Sequence, residues 1–178
     1  MHLNPYGGDA VKLAAELANR RPRTVEDLTD RCRAAGLVID EPVPQADLAH
    51  TLALLDTWEG VVDAATERER AERLNRMLAA GASHPRLTDH SGGWHLHYRD
   101  DRLPFAAVLS SLIAVGTAFH LVGRGMHRLG RCAVAGCTTI YADTTRTGRQ
   151  RYCSQRCANR DAVRRHRATR SAADTARA

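Results

Sequence analysis

The chain has 178 residues, of which 43% are hydrophobic, 26% charged and 4% aromatic. This composition excludes a disordered chain, a collagen and a disulfide-dense toxin, and it asks for an Ala-, Leu- and Val-built core in one domain, or one domain plus a small module. The net charge of +6 is unevenly divided: residues 1–130 carry 15 Lys+Arg against 17 Asp+Glu, whereas residues 131–178 carry 11 Arg against 3 Asp. A nearly neutral body followed by a strongly basic tail suits a polyanionic partner for the tail.

The first nine residues hold neither a basic segment nor an apolar run, so no signal peptide is expected and the cysteines are read as cytosolic thiols. Asp9–Arg20 reads as a helix, with Val11, Ala14, Ala15 and Ala18 at helical spacing beside Leu13 and Leu17. Pro22 breaks it, Thr24 stands as an N-cap with Asp27 three residues on, and the next helix runs through Leu28, Cys32 and Ala35 to Gly36. After a linker at 40–44, Asp47 is expected to cap a longer helix faced by Leu48, Leu52, Leu55, Trp58, Val61 and Val62. That helix is expected to continue through the polar stretch Thr66–Arg73 to Leu74, Met77 and Leu78, stopping before Gly81.

Residues 85–98 change texture. Gly92-Gly93 and the alternation of Trp94, Leu96 and Tyr98 predict a β-hairpin. Leu103–Gly123 then runs for 21 residues without a formal charge, long enough for a membrane span. Its Pro104, Ser110, Ser111, Gly116, Thr117 and His120, and the helical face of Leu109, Leu112, Ile113, Gly116 and Phe119, predict a buried central helix and no membrane crossing. Trp58, Trp94, His120 and this helix are candidates to line an effector pocket, against the plainer reading as ordinary core. Residues 169–178 are small and polar, and are expected to fray.

The strongest chemical signal is Cys132-x4-Cys137-x15-Cys153-x3-Cys157. Two close cysteine pairs separated by a hairpin-sized loop meet the needs of a tetrahedral structural Zn²⁺, in which four thiolates leave no open position for chemistry. Two disulfides or four unrelated thiols are the alternatives. Gly136 permits a tight knuckle, residues 138–152 read as two strands around a turn, and Ser154 is expected to cap a helix with Cys157 in its first turn. This is a treble-clef-like arrangement. Val134, Ile140, Tyr141, Tyr152 and Val163 are its only candidates for a core, so one zinc per chain would supply much of its folding free energy, of order 10 kcal/mol. Cys32 lies too far away in sequence and is read as a buried helix residue.

The helix after the site carries Arg156, Arg160, Arg164 and Arg167 on one face, broadened by Arg165, His166 and Arg170. These arginines, His166 apart, are the candidate nucleic-acid contacts. Asp161 is the acid that can pair with Arg164 or Arg165. Asn159 could read adenine, but a hydrogen bond to the knuckle backbone is the expected role.

At these residues the chain resembles the CGNR zinc-finger family. The match runs through Cys132-x4-Cys137, Tyr141-Ala142-Asp143, Arg149–Ser154, Cys157-Ala158-Asn159-Arg160 and Val163–Arg167, with Ala158 where the family has Gly. In that family the finger follows an N-terminal ABATE domain, and the order of helices, hairpin and apolar helix here is similar. The resemblance implies a bacterial transcriptional regulator, with the finger on DNA and the ABATE domain as a possible sensor.

The expected fold class is therefore α+β. A mostly helical domain with one β-hairpin spans 1–130, a small four-cysteine zinc finger 131–168, and a tail 169–178. The leading function is a cytoplasmic, nucleoid-associated regulator that binds double-stranded DNA. It is expected to act as a homodimer, because one short helix gives little specificity alone. An RNA-binding role, with Tyr141 and Tyr152 stacking on bases, and a protein-interaction module are the alternatives. An enzyme is not expected: His90, His95 and His97 could hold a second metal, but no G-x-S-x-G, P-loop or HExxH motif is present.

Overall fold

The structure is a computed structural model, and it describes residues 7–89, 94–100 and 102–175. Helix α1 (Gly8–Asn19) buries Val11, Leu13, Ala14 and Leu17 on one side and ends at the Arg20–Arg23 turn. It starts in close contact with helix α5 (Phe105–Arg124). Gly7 has φ +59° and a Cβ there would lie 1.9 Å from the Gly116 carbonyl oxygen, so only glycine fits. Helix α2 (Val25–Ala34) opens as expected, with Thr24 Oγ1 accepting from the Asp27 N–H at 3.1 Å.

Two expectations about the next helices are corrected. Helix α3 (Gln45–Val62) begins behind Pro44, and Asp47 does not cap it. Asp47 is buried and its Oδ2 instead accepts from the Ala106 N–H at 3.2 Å, in the first turn of α5. The open N–H groups and positive end of α5 are what a buried carboxylate needs. Helix α4 (Glu67–Gly81) is separate from α3 rather than a continuation. Thr66 Oγ1 accepts from the Glu69 N–H at 3.1 Å, and Glu69 accepts from the Ala65 N–H at 2.8 Å. Arg70 then donates to the carbonyls of Val61 and Val62 and to that of Met126, which closes the end of α3 and ties it to the chain beyond α5.

Helix α5 is the centre of the fold. By length and composition it could cross a membrane, but it packs against α1, α3 and α4, with Leu109, Ile113 and Ala114 fully buried. Trp58 from α3 donates its indole N–H to Thr117 Oγ1 at 2.9 Å, so the largest core side chain is also satisfied.

The predicted hairpin forms from β1 (Arg86–Thr88) and β2 (His95–His97), antiparallel, with Leu87 opposite Leu96. Its turn, including Gly92, Gly93 and His90, lies outside the described residues. Tyr98 packs edge-on against Phe119 with ring centroids 5.6 Å apart, while Leu87, Trp94 and Leu96 stay exposed.

A second antiparallel pair joins β3 (Leu129–Arg131) to β4 (Ile140–Ala142). Leu129 and Ile140 enter the same core as the helices, so the expected boundary at residue 130 falls inside β3. Helix α6 (Gln155–Thr175) completes the α+β fold and keeps helical backbone past Arg170, into the stretch expected to fray.

Candidate metal centre and basic helix

Each cysteine of the cluster is placed by a local device. Cys132 closes β3, its N–H donating to Thr139 O at 2.9 Å. The knuckle turns through Gly136, at φ +75°, and the Cys137 N–H donates to Val134 O at 2.9 Å. The Ala133 N–H donates to Arg151 O at 2.8 Å, which lays the segment before Cys153 against the knuckle. Ser154 Oγ accepts from the Cys157 N–H at 3.3 Å and opens α6 with the fourth ligand in its first turn.

The four Sγ atoms lie within 4.8 Å of one another, with separations of 3.8 Å (Cys137–Cys153), 3.6 Å (Cys153–Cys157) and 4.0 Å (Cys137–Cys157). A tetrahedron of thiolates at ~2.3 Å from Zn²⁺ has edges of ~3.8 Å. All five cysteines of the chain are free thiols, so the disulfide alternative is set aside. The donor set fits one structural Zn²⁺ held by Cys132, Cys137, Cys153 and Cys157. Hydrogen bonding from Thr139, whose hydroxyl is 3.5 Å from Cys137 Sγ, pushes the Cys137 thiol down to about 6. Burial pushes the Cys153 thiol up to about 11. Cys32 is a core thiol of α2, pushed up to about 12 by burial, and takes no part.

Below the cluster, Val134 and Ile140 are buried and Tyr141 and Tyr152 half-buried, as expected, but Val163 is 51% exposed and is not finger core. In place of apolar packing the loop has an ion pair that the sequence reading missed. Asp143 is buried and accepts from the Thr145 N–H (2.9 Å), Thr145 hydroxyl (2.6 Å) and Gln150 N–H (3.1 Å), with the Arg128 guanidinium at 3.3 Å. Burial alone would raise its pKa, yet the Thr145 and Gln150 hydrogen bonds and Arg128 hold the carboxyl below the usual range. Arg128 also donates to Arg124 O (3.0 Å) and Thr145 O (2.7 Å), so the 143–150 loop is folded around it. The one readable signal was a single acid, Asp143, within a basic segment.

On α6, Asp161 is buried and accepts from Tyr152 OH at 2.8 Å, Arg164 at 2.8 Å and Arg165 at 3.1 Å. Those contacts, Arg164 first, hold its pKa below the ordinary carboxylate value. Both arginines expected as its partners are thus engaged. Arg156, Arg160 and Arg167 are exposed and form no ion pair among the described residues; Arg170 is exposed too. Every residue of 162–170 is exposed, so this part of α6 projects from the finger. Asn159 does not reach the knuckle backbone: it is exposed, and its Oδ1 accepts from Gln155 Nε2 at 2.8 Å. Its place on the outer face of α6, turned away from Cys157, is the reason.

The other candidates do not converge. Trp58 and His120 are fully buried with partners in the core, His120 Nε2 lying 3.2 Å from Arg128 O, whereas Trp94 is 74% exposed; the three line no common pocket. His95 and His97 share a face and their Nε2 atoms are 3.1 Å apart, but among the described residues only the four cysteines form a metal-type cluster of three or more.

Two family models match segments of the chain. Residues 128–170 match the model of the CGNR zinc finger. Residues 12–124 match the ABATE model, described as "Putative stress-induced transcription regulator". Both are regulator or zinc-finger families rather than enzyme families. No curated protein matches the chain. With its helical body covered by the one model and its cysteine centre by the other, the chain belongs to the ABATE family and carries a CGNR zinc finger.

Proposed function

We propose that the chain is a DNA-binding transcription regulator, not an enzyme, that contacts duplex phosphates through α6, with Arg156, Arg160, Arg164, Arg165, Arg167 and Arg170 as the contacts. The observation that carries this reading is the projecting stretch 162–170, which exposes every side chain and holds four arginines and no acid. A short helix with nothing to bury against is marginal in water, and its like charges repel. A polyanion removes that repulsion. The B-DNA major groove, roughly 12 Å wide, admits a bare helix of about 10–12 Å diameter. The deep, narrow major groove of duplex RNA does not. In this reading zinc holds α6 at the end of the helical body. A homodimer supplies a second half-site, the body carries any effector response, and the protein works on the nucleoid in the cytoplasm.

The test is binding of the full, zinc-loaded chain to a random-sequence duplex across a salt series. It compares wild type with Arg156→Ala/Arg160→Ala/Arg167→Ala, after one zinc per chain is verified in both. Loss of three phosphate contacts lowers the slope of log K against log salt by about 2.7. Arg164→Ala alone changes the slope less than the triple variant, because one contact is lost and Arg164 shares the Asp161 carboxylate with Arg165. Equal binding by wild type and the triple variant, or no binding by either, overturns the reading.

A further inference from the structure

We infer that Asn159 and Val163 are the base-reading pair of α6, with Asn159 on an adenine edge and Val163 against a thymine methyl within two base-pair steps. The inference rests on the DNA-binding reading above and deepens it: arginines on phosphates position the helix, and something else must supply sequence preference.

At 100° per residue, Arg156, Asn159, Arg160, Val163 and Arg167 fall in one sector of roughly 100°. The half-buried Cys157 and buried Asp161 lie on the side turned to the finger. Val163 is the one large hydrophobic exposed on the described part of α6, where the other aliphatic residues are alanines. A β-branched residue is a weak helix former, and Val163, half exposed, contributes little to the finger core. Its apolar surface sits among guanidinium groups, which excludes a second copy of the same face by charge repulsion and favours an anionic partner with a small apolar feature. The thymine methyl is the apolar group that base edges present in the major groove.

Asn159 lies four residues before Val163, about 6 Å along the axis, close to two base-pair steps. Gln155 donates to its Oδ1 at 2.8 Å and so orients the carboxamide, while the second lone pair of Oδ1 and the Nδ2 donors stay available. Those groups match adenine N6–H and N7, the bidentate pairing that Asn makes in the major groove.

The experiment is selection from a randomised duplex pool by the full zinc-loaded chain, followed by affinity measurements on the selected duplex. Each thymine is replaced in turn by deoxyuracil, which removes only the methyl. At one thymine, the replacement is expected to weaken wild-type binding about fourfold. Val163→Ala is expected to bind the thymine and deoxyuracil duplexes equally. Asn159→Ala is expected to lose about tenfold of discrimination at an adenine within two steps. Both variants change exposed side chains, and circular dichroism and zinc content check that the fold is kept. A selected sequence whose affinity responds to no deoxyuracil replacement and to neither variant overturns the base-reading pair. So does a pool that binds but does not enrich. In both cases a salt slope that still depends on Arg156, Arg160 and Arg167 leaves the phosphate reading standing. No binding to any duplex, or tighter binding to structured RNA at matched salt, overturns both.

Discussion

Asn19, the last residue of α1, and Ile140, the first of β4, exchange two hydrogen bonds across 121 positions of sequence. Asn19 Nδ2 donates to Ile140 O at 2.8 Å, and the Ile140 N–H donates to Asn19 Oδ1 at 2.7 Å. The neighbouring Cys132 N–H to Thr139 O bond places the β3–β4 ladder on the other side, so the Ile140 backbone groups face an open edge. One carboxamide covers that edge as a strand would. On the β3 side, Arg131 pairs with Glu59 at 2.7 Å and Asp63 at 2.6 Å, and these partners raise its pKa. The finger is thereby pinned to the helical body along both strands.

Replacing Asn19 with Ala leaves the Ile140 N–H and C=O without protein partners. The expected loss is about 1–3 kcal/mol, or a fall in Tm of about 2–4 °C for each kcal/mol. Asn19→Asp keeps the acceptor for the Ile140 N–H but sets a carboxylate oxygen against Ile140 O, so it is expected to lose stability although one of the two bonds is kept. Calorimetry of the zinc-loaded proteins measures the difference. An unchanged Tm in Asn19→Ala would show that the edge does not need this cover.

Zinc removal should unfold the finger and spare the body. The segment after β4 has little apolar core of its own, and a structural zinc in comparable modules contributes of order 10 kcal/mol. The core of the helical body, with Leu17, Leu28, Leu55, Trp58, Leu109 and Ile113 fully buried, is built from residues outside the finger. Chelation is expected to lower far-UV helicity by an amount attributable to α6. In Trp94→Phe, where Trp58 is the remaining indole, the emission maximum should not move. A red shift of that emission would mean that the body does not stand alone. Unchanged helicity after verified zinc loss would remove the metal's structural role.

His120 gives a pH dependence with a defined sign. It is fully buried, and burial first, with Arg124 and Arg128 nearby, lowers its pKa below the ordinary 6.5 despite the hydrogen bond to Arg128 O and the charge of Asp143. Nε2 must carry a proton to donate to that carbonyl, and the lowered pKa favours the neutral ring, with Nδ1 unprotonated. Unfolding lets the ring take up a proton. The contribution of His120 is therefore complete above about pH 6.5 and is lost as pH falls through the lower folded value. The loss of Tm between pH 7.5 and pH 5.5 should be larger in wild type than in His120→Asn, both with zinc retained. An equal loss in the two would exclude this residue as its source.

Much of the fold was legible in the residues because its determinants are local. The helical period of α1, the Thr24 cap of α2, the 21-residue apolar run of α5 and the strands of the first hairpin all depend on neighbours a few positions apart. The metal centre was legible for the same reason: two short cysteine spacings and a turn glycine define the knuckle and the first turn of a helix whatever surrounds them. The Thr66-x-x-Glu69 capping box was also local, and reading through it merged α3 with α4.

The sequence by itself therefore determined the helical segments of α1, α2 and α5, the four thiolates and the basic character of α6. Only the tertiary structure decided which polar side chain meets which distant group. Asp47 caps α5 from 59 positions away, Arg128 finds Asp143 beneath the loop, and Asn19 covers Ile140. It also decided that Val163 faces outward, because the finger fills its interior with Val134, Ile140 and an ion pair instead. The physical reason is range. Helical periodicity and ligand spacing act over a few residues, whereas an unpaired backbone group or buried charge is satisfied by whatever the docking of whole elements brings within about 3 Å.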